Sequence, residues 1–351
     1  MKLGIITYHD INNYGAQLQA SSLQQFLDQS EHDCELVDYR PLRHDLRRCM
    51  TWIRAASKLH IEDARNEAAR TRMFQTAIRE MASLSERSTH LASGVAGICK
   101  VYDALICGSD ELWNFGNYLG YQAPYILDFE VRSHVQKLSY AASVGSYTPT
   151  SEIANKMKVS LENFSSILVR DERTRDFCNS CSLEADIVLD PTFLTDLNPI
   201  QPAISGYAML SGAMSTMQVD KCVEAANSLG LRPVSPGVTY PRHRNIGVAA
   251  TPQEWIGYIK NADCHMTSLF HGTAYSLNFG TPFCVFHTHG KESKISSLLS
   301  RFKAKERLVE SGALPELISA TASSPFPSEM PGLRGRLILE SQEKLLNALD
   351  A

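Results

Sequence analysis

The sequence predicts a two-domain α/β protein built on parallel sheets, and three observations carry that expectation. A chain of 351 residues exceeds what one ordinary hydrophobic core organises and suits two. Short apolar runs alternate with helical patterns along most of it, once before and once after a break. The break follows Asp190 and holds Pro191, Pro199 and Pro202 with Asp196 and Asn198, a composition poor for helix and strand alike.

Residues 3–8 form an apolar run that ends in a polar loop at 10–15. A helical pattern follows from Ala16 to about Leu27, and 34–39 reads as the next strand. Strand, loop, helix and strand in that order predict a right-handed βαβ unit and a parallel sheet. Residues 46–86 contain no Gly or Pro and are rich in Ala, Arg, Glu and Met, which predicts a helical insertion over about 46–90. Strand patterns resume at 103–108, 137–143, 165–171 and 185–190, completing a first domain over 1–197. A second domain, 198–330, repeats the alternation with strands at 207–212, 232–237, 264–268 and 282–287. Its helices are expected at 218–229, 251–262, 271–279 and near 293–302. The segment 331–351 carries an amphipathic helix expected to pack back on the first domain. Two such Rossmann-like domains facing one another leave a cleft at the carboxyl ends of their strands, where open α/β sheets bind ligands.

The hydrophobic fraction of 44% and net charge of -4 describe an ordinary globular protein without a basic field, so nucleic acid is not an expected partner. No signal peptide precedes the first strand, and no apolar stretch reaches the ~18–20 residues that span a bilayer, which points to the cytoplasm. Nine cysteines in apolar contexts are expected to be reduced thiols. Between 43 and 79, nine Arg and Lys face four Asp and Glu, with Trp52, Ile53 and Leu59 close by. That segment could touch the inner face of an anionic membrane as a peripheral contact, or form a solvated helical face. Cys178-Asn179-Ser180-Cys181 lacks a second pair, and His265, His287 and His289 are read as scattered, so no metal is expected. Neither a Gly-x-Gly-x-x-Gly nor a Walker loop occurs, against a dinucleotide dehydrogenase and a P-loop kinase.

The strongest chemical motif is Thr267-Ser268-Leu269-Phe270-His271-Gly272-Thr273, which closes a strand and opens a helix, where amide hydrogens and the helix dipole attract anions. Ser268, His271, Gly272 and Thr273 are candidates for holding a phosphate, and His271 for helping it leave; the alternative is that His271 caps the helix. Lys291 and Lys294 leave the next strand at the same sheet edge, as phosphate partners or as solvated charges. Arg170 ends a strand, placed to grip a carboxylate or phosphate, or to pair with Asp171 or Glu172. Asn13, Tyr14 and Gly15, with Ser109, Asp110 and Trp113, have the composition of a sugar-binding rim. Asp110 is the candidate base toward a hydroxyl, or the cap of a helix after Ser109.

The chain resembles the polysaccharide pyruvyl transferase family over most of its length. The resemblance rests on residues 13–20, 102–114, 139–145 (Ser139 to Gly145, including Ser143), Val169-Arg170-Asp171-Glu172, 190–194, and 268–272 with 279–283. It includes the subgroup with Ser-Phe-His-Gly at the strand-to-helix junction. Many members carry Arg two residues before that histidine, where this chain has Leu269. The resemblance implies a GT-B-like fold and transfer of the enolpyruvyl group of phosphoenolpyruvate to two hydroxyls of a sugar, forming a pyruvate ketal. The acceptor would belong to a bacterial exopolysaccharide or its lipid-linked precursor. Phosphoenolpyruvate would be a co-substrate, with no cofactor. The first domain becomes the acceptor side, with Asn13, Tyr14, Gly15, Ser109, Asp110, Trp113 and Ser143, and the second the donor side. His271 and Arg170 are implicated in donor binding, with a lysine near Lys294. Two other readings stay open: a GT-B nucleotide-sugar glycosyltransferase, and a non-catalytic glycan-binding homologue.

Overall fold

The structure, a computed structural model, describes residues 1–57, 61–287 and 292–350. The chain divides into two compact units, Met1–Thr195 with Glu340–Ala351, and Asp196–Leu339. Each is Rossmann-like, a parallel sheet with helices in its crossovers.

In unit 1 the strands are β1 (Lys2–Ile6), β2 (Asp33–Tyr39), β3 (Leu84–Thr89), β4 (Ala104–Cys107), β5 (Gln136–Ala142), β6 (Ser166–Val169) and β7 (Asp186–Ile187). Their order is β3-β2-β1-β4-β5-β6-β7. The helices are α1 (Tyr14–Gln29), α2 (Leu42–Ser57), α3 (Ile61–Met81), α4 (Ala92–Ile98), α5 (Ser151–Leu161) and α6 (Glu172–Ser180). The strand order reverses at β1 and β4, whose register pairs Ile6 with Cys107, so Thr7 and Gly108 leave the sheet side by side. Such a reversal is where open α/β sheets form ligand crevices.

Alternation builds this unit's core. Leu3, Ile5, Ala104 and Ile106 enter one apolar cluster, while Ile6, Leu105 and Cys107 enter another, as the period-2 pleat of a sheet covered on both faces requires. Helix α1 is capped by Asn13, whose side chain accepts the Ala16 amide, and buries polar side chains along with apolar ones. Those amides have work to do: Gln17 Nε2 donates to the Phe74 carbonyl at 2.9 Å and Gln24 Nε2 to that of Cys34 at 2.7 Å.

Two expectations are corrected here. The insertion expected over 46–90 is not helical throughout: α2 and α3 are followed by β3, which extends the sheet beside β2. Its Ser, Glu, Arg and Thr residues suit a solvent-facing edge strand and hide it from a search for apolar runs. No helix follows Ser109 either, because Asp110 has φ +80° and the chain then runs through turns to residue 122.

Unit 2 contains β8 (Tyr207–Ser211), β9 (Arg232–Pro236), β10 (Gly247–Val248), β11 (Cys264–Thr267), β12 (Phe283–Phe286) and β13 (Leu308–Val309), ordered β10-β9-β8-β11-β12-β13. Its helices are α7 (Thr216–Ser228), α8 (Pro252–Lys260), α9 (Phe270–Phe279), α10 (Glu292–Arg301) and α11 (Pro315–Ser323). Helix α11 and the short β13 had no counterpart in the sequence reading. Thr267 pairs with Ser211, so Ser268 and Gly212 emerge together at this unit's reversal point. The last helix, α12 (Met330–Asp350), contributes its C-terminal turns to unit 1. There Ser341 Oγ accepts the Leu189 amide at 2.9 Å, and Leu345 and Leu349 are buried. Among the described residues no helix is long and apolar enough to cross a membrane.

Residues 197–200 strap onto α8: the Ile200 amide donates to the Gln253 carbonyl at 3.0 Å, and Gln253 Nε2 to that of Leu197 at 3.3 Å. A methyl group on Gly257 would overlap the Ile200 carbonyl. Helix propensity alone would make Gly257→Ala stabilising by about 1 kcal/mol. The overlap with backbone reverses the sign, and Gly257→Ala is expected to lower stability by about 1–3 kcal/mol in urea melts. A stabilised variant would show that Ile200 does not lie there.

Candidate functional site

The junction between β11 and α9 is fixed by a hydrogen-bond chain through the fully buried His265. Thr267 Oγ1 accepts the Leu269 amide at 3.1 Å and lies 2.8 Å from Ser211 Oγ, to which it donates because the Ser211 proton is given to the neutral ring. Ser211 in turn donates to His265 Nε2 at 2.8 Å. The other ring nitrogen, Nδ1, donates to Ser276 Oγ at 2.8 Å, and Ser276 donates to the Gly272 carbonyl at 2.9 Å. Every hydroxyl both gives and takes, which assigns the neutral Nδ1–H tautomer. Burial pushes the His265 pKa down to about 3, in keeping with a neutral ring.

Two glycines let the backbones close around this chain. A Cβ on Gly272 would collide with Thr267 Oγ1, and one on Gly212, at φ +105°, with Ser268 Oγ. The result is a helix start held rigidly against two strands, with Leu269 at the N-cap and no side-chain cap.

His271 lies in the first turn of α9 and is half-buried. Its ring packs edge-on against Phe270 at 5.3 Å, and Lys294 Nζ on α10 lies 5.6 Å from the Phe270 ring centroid. An imidazole and an ammonium therefore flank a helix N-terminus, whose first-turn amides and dipole favour anions. The other donor candidates differ in availability. Ser268 is buried and donates to the Ala213 carbonyl at 3.3 Å, while Thr273 is buried and donates back to the Leu269 carbonyl at 3.0 Å. Lys291 lies outside the described residues.

In unit 1, Arg170 follows β6 and is almost fully buried, not on a rim. Its Nη1 lies 3.1 Å from Asp190 Oδ2 and 3.4 Å from Asp110 Oδ1, neither of them the Asp171 or Glu172 that the sequence suggested. Burial works against the guanidinium charge, but Asp110, Asp190 and Asp171 outweigh it and raise the Arg170 pKa. Asp190 also accepts from Ser109 Oγ at 3.1 Å, and the Ser109 amide donates to Gln19 Oε1 at 3.1 Å. Asp110 is thus placed at the open end of a buried polar cluster, its side chain 15% exposed against 2% for Arg170 and none for Asp190.

The remaining acceptor-side candidates have structural partners. Asn13 caps α1; Tyr14 is buried and packs, its ring tilted, at 4.9 Å against Phe74; Gly15 is buried in α1. Ser143 is buried and donates to Asp171 Oδ2 at 2.6 Å. Trp113 is a core residue: it is fully buried and its Nε1 donates to the Tyr125 carbonyl at 3.2 Å. Of the rim proposed from sequence, Asn13 and Asp110 keep solvent-exposed surface, and the Asn13 side-chain oxygen is engaged as the α1 cap.

Three features had no role in the sequence reading. His265 was visible only as a scattered histidine, and its Ser211 and Ser276 partners are 54 and 11 residues away. Asp190 stood in a recognisable Asp-Pro motif, but its pairing with Arg170 is tertiary. The ends of β1 and β2 frame a recess lined by His9, Asp10, Tyr39 and Arg40 among others. Here Arg40 binds Asp38 through two nitrogens at 2.6 and 2.7 Å, and His9 Nε2 lies 3.1 Å from Asp38. Those contacts overcome burial and lower the Asp38 pKa to about 2. No group of three or more His, Cys, Asp or Glu suited to a metal occurs among the described residues, and Cys178 and Cys181 are free thiols.

Known structures share this architecture. The glycotransferase of kitacinnamycin aligns with a TM-score of 0.54 and 12% identity, covering 99% of this chain and 98% of that one. A Listeria monocytogenes protein described as a UDP-N-acetylglucosamine 2-epimerase aligns with a TM-score of 0.55 and 11% identity, covering 99% and 95%. S. aureus MnaA, solved with UDP, gives 0.50 and 10%, covering 100% and 98%. At these identities the likeness defines the fold, that of the GT-B class with two Rossmann-like domains. No curated protein sequence matches the chain. Residues 13–290 match the polysaccharide pyruvyl transferase model, and the chain belongs to that family of transferases.

The buried His265 ties stability to pH. Its folded pKa of about 3 lies below the unfolded value near 6.5, so the unfolded chain binds the extra proton between those pH values. Its contribution is complete above about pH 6.5 and falls as pH drops toward 3, by at most about 1.4 kcal/mol per unit. His265→Gln should therefore flatten the pH dependence of urea-melt stability between pH 6.5 and 4. An unchanged slope would refute the neutral buried ring.

Proposed function

We propose that this protein transfers the enolpyruvyl group of phosphoenolpyruvate to two hydroxyls of a sugar, in a polysaccharide or its lipid-linked precursor, forming a pyruvate ketal. The observation that carries the reading is the placement of His271 in the first turn of α9, part-buried at the reversal point of its sheet, with the Lys294 ammonium beside the adjoining Phe270 ring. Family membership supplies the reaction class.

The donor carries a phosphate and a carboxylate, and both need cationic or N–H partners. The α9 terminus, His271 and Lys294 supply them on unit 2. Protonation of the methylene carbon makes the adjacent carbon electrophilic. One sugar hydroxyl adds there, the C–O bond to phosphate breaks, and the second hydroxyl closes the ketal. Of the two hydroxyl protons, one balances the new methyl group and the other leaves on phosphate. His271 suits the delivery of a proton to the departing phosphate, and Asp110 on unit 1 the acceptance of one from the acceptor. Arg170 is a positioning residue in this scheme, because its guanidinium is buried against Asp110 and Asp190.

A thermal-shift experiment separates the donors. Phosphoenolpyruvate at about 100 times its Kd should add about 2.7 kcal/mol of stability and raise Tm by several degrees. His271→Ala and Lys294→Ala should reduce the shift, and His271→Ala should abolish acceptor-dependent phosphate release. A Tm rise with UDP and none with phosphoenolpyruvate would instead favour a nucleotide-sugar donor; UDP is the ligand solved with S. aureus MnaA. Phosphoenolpyruvate binding with no acceptor-dependent phosphate release would point to a non-catalytic binder.

A further inference from the structure

Helix α2 is amphipathic in the reverse sense. Leu42, Leu46 and Met50 stand four residues apart, a spacing that aligns them on one side of a helix, and they are 49%, 63% and 51% exposed. The other side is tied to the body of unit 1. Arg43 Nη1 donates to the Leu119 carbonyl at 3.1 Å, and the Arg47 guanidinium lies 4.1 Å from the Tyr118 ring centroid. His44 packs at 6.0 Å against the same ring, and Asp45 Oδ2 lies 2.9 Å from His90 Nδ1. A surface helix ordinarily turns its apolar stripe inward. Here polar contacts anchor the helix and the apolar stripe faces outward.

The charge on α2 indicates what covers that stripe. Leu42–Ser57 contains four arginines and one aspartate, in a chain whose net charge is -4. Arg43 and Arg47 remain exposed while making their contacts, so their heads can reach phosphates beside the apolar side chains. A second copy of the same helix would set arginine against arginine across a two-fold axis, which opposes self-association. We propose that α2 docks unit 1 on an anionic lipid surface, with Leu42, Leu46 and Met50 entering the headgroup–acyl boundary and the arginines contacting lipid phosphates. Such docking would hold the enzyme where lipid-linked acceptors reside, but it rests on α2 alone and not on the identity of the donor.

Flotation with vesicles of phosphatidylglycerol and phosphatidylcholine, against vesicles of phosphatidylcholine alone, tests this. Wild-type protein should float with the anionic vesicles, more weakly at high salt, and Arg47→Gln should weaken binding about fivefold. Leu46→Glu should abolish it, with Met50→Glu as a second disruption, while Leu317→Glu, at an exposed site on α11, should bind as wild type. Retention of the wild-type Tm in Leu46→Glu would show that docking was lost without damage to the fold. The proposal is overturned if wild type ignores anionic vesicles, or if Leu46→Glu floats normally. It is equally overturned if Leu46→Glu converts a dimer to a monomer, because the stripe would then be a protein interface.

Discussion

The site on unit 2 depends on one buried imidazole kept neutral. His265 cannot carry charge without a partner anion, and its surroundings offer hydroxyls instead. Because those hydroxyls pass hydrogen bonds in one direction, from the Leu269 amide to the Gly272 carbonyl, the ring joins β8, β11 and the first turn of α9 in a single polar chain. The part-buried histidine six residues later needs that rigidity. A phosphate held by helix amides is sensitive to tenths of an ångström, and a loosely packed helix start would spend binding energy on ordering itself.

Unit 1 applies the opposite electrostatic solution. Where unit 2 buries a neutral ring, unit 1 buries a guanidinium among carboxylates, with Asp190 sealed and Asp110 nearer the surface. A buried ion pair of this kind is weak evidence for stability, since desolvation of its members offsets much of their attraction. Its benefit is orientation: Ser109, Gln19 and Asp190 fix the strand end from which Asp110 projects with a left-handed backbone. The arginine that looked like a ligand clamp in the sequence is buried against the neighbouring carboxylates.

Much of the architecture was legible because both sheets are buried and their strands are near-continuous apolar runs bounded by polar loops. The elements that escaped include β3, whose solvent-facing edge removes the apolar signal, the two-residue strands β10 and β13, too short to show a period, and α11. On unit 2, the strand-to-helix junction at His271 was readable from local order alone. The candidate rim on unit 1 was not, because Trp113, Tyr14 and Ser143 carry chemistry that a rim would use yet find their partners in the interior. A sequence shows that a side chain can bind; only tertiary packing decides whether it already has.

The crossing of α12 between units has a consequence for biosynthesis. Leu345 and Leu349 belong to the apolar cluster that β1, β2 and β4 build near the start of the chain, yet they are translated after the whole of unit 2. The nascent N-terminal domain therefore leaves the ribosome with part of its interior uncovered, and that gap closes only when the last helix emerges. The first unit to be made is the last to be completed, so its maturation waits on a second domain that can fold from its own continuous segment.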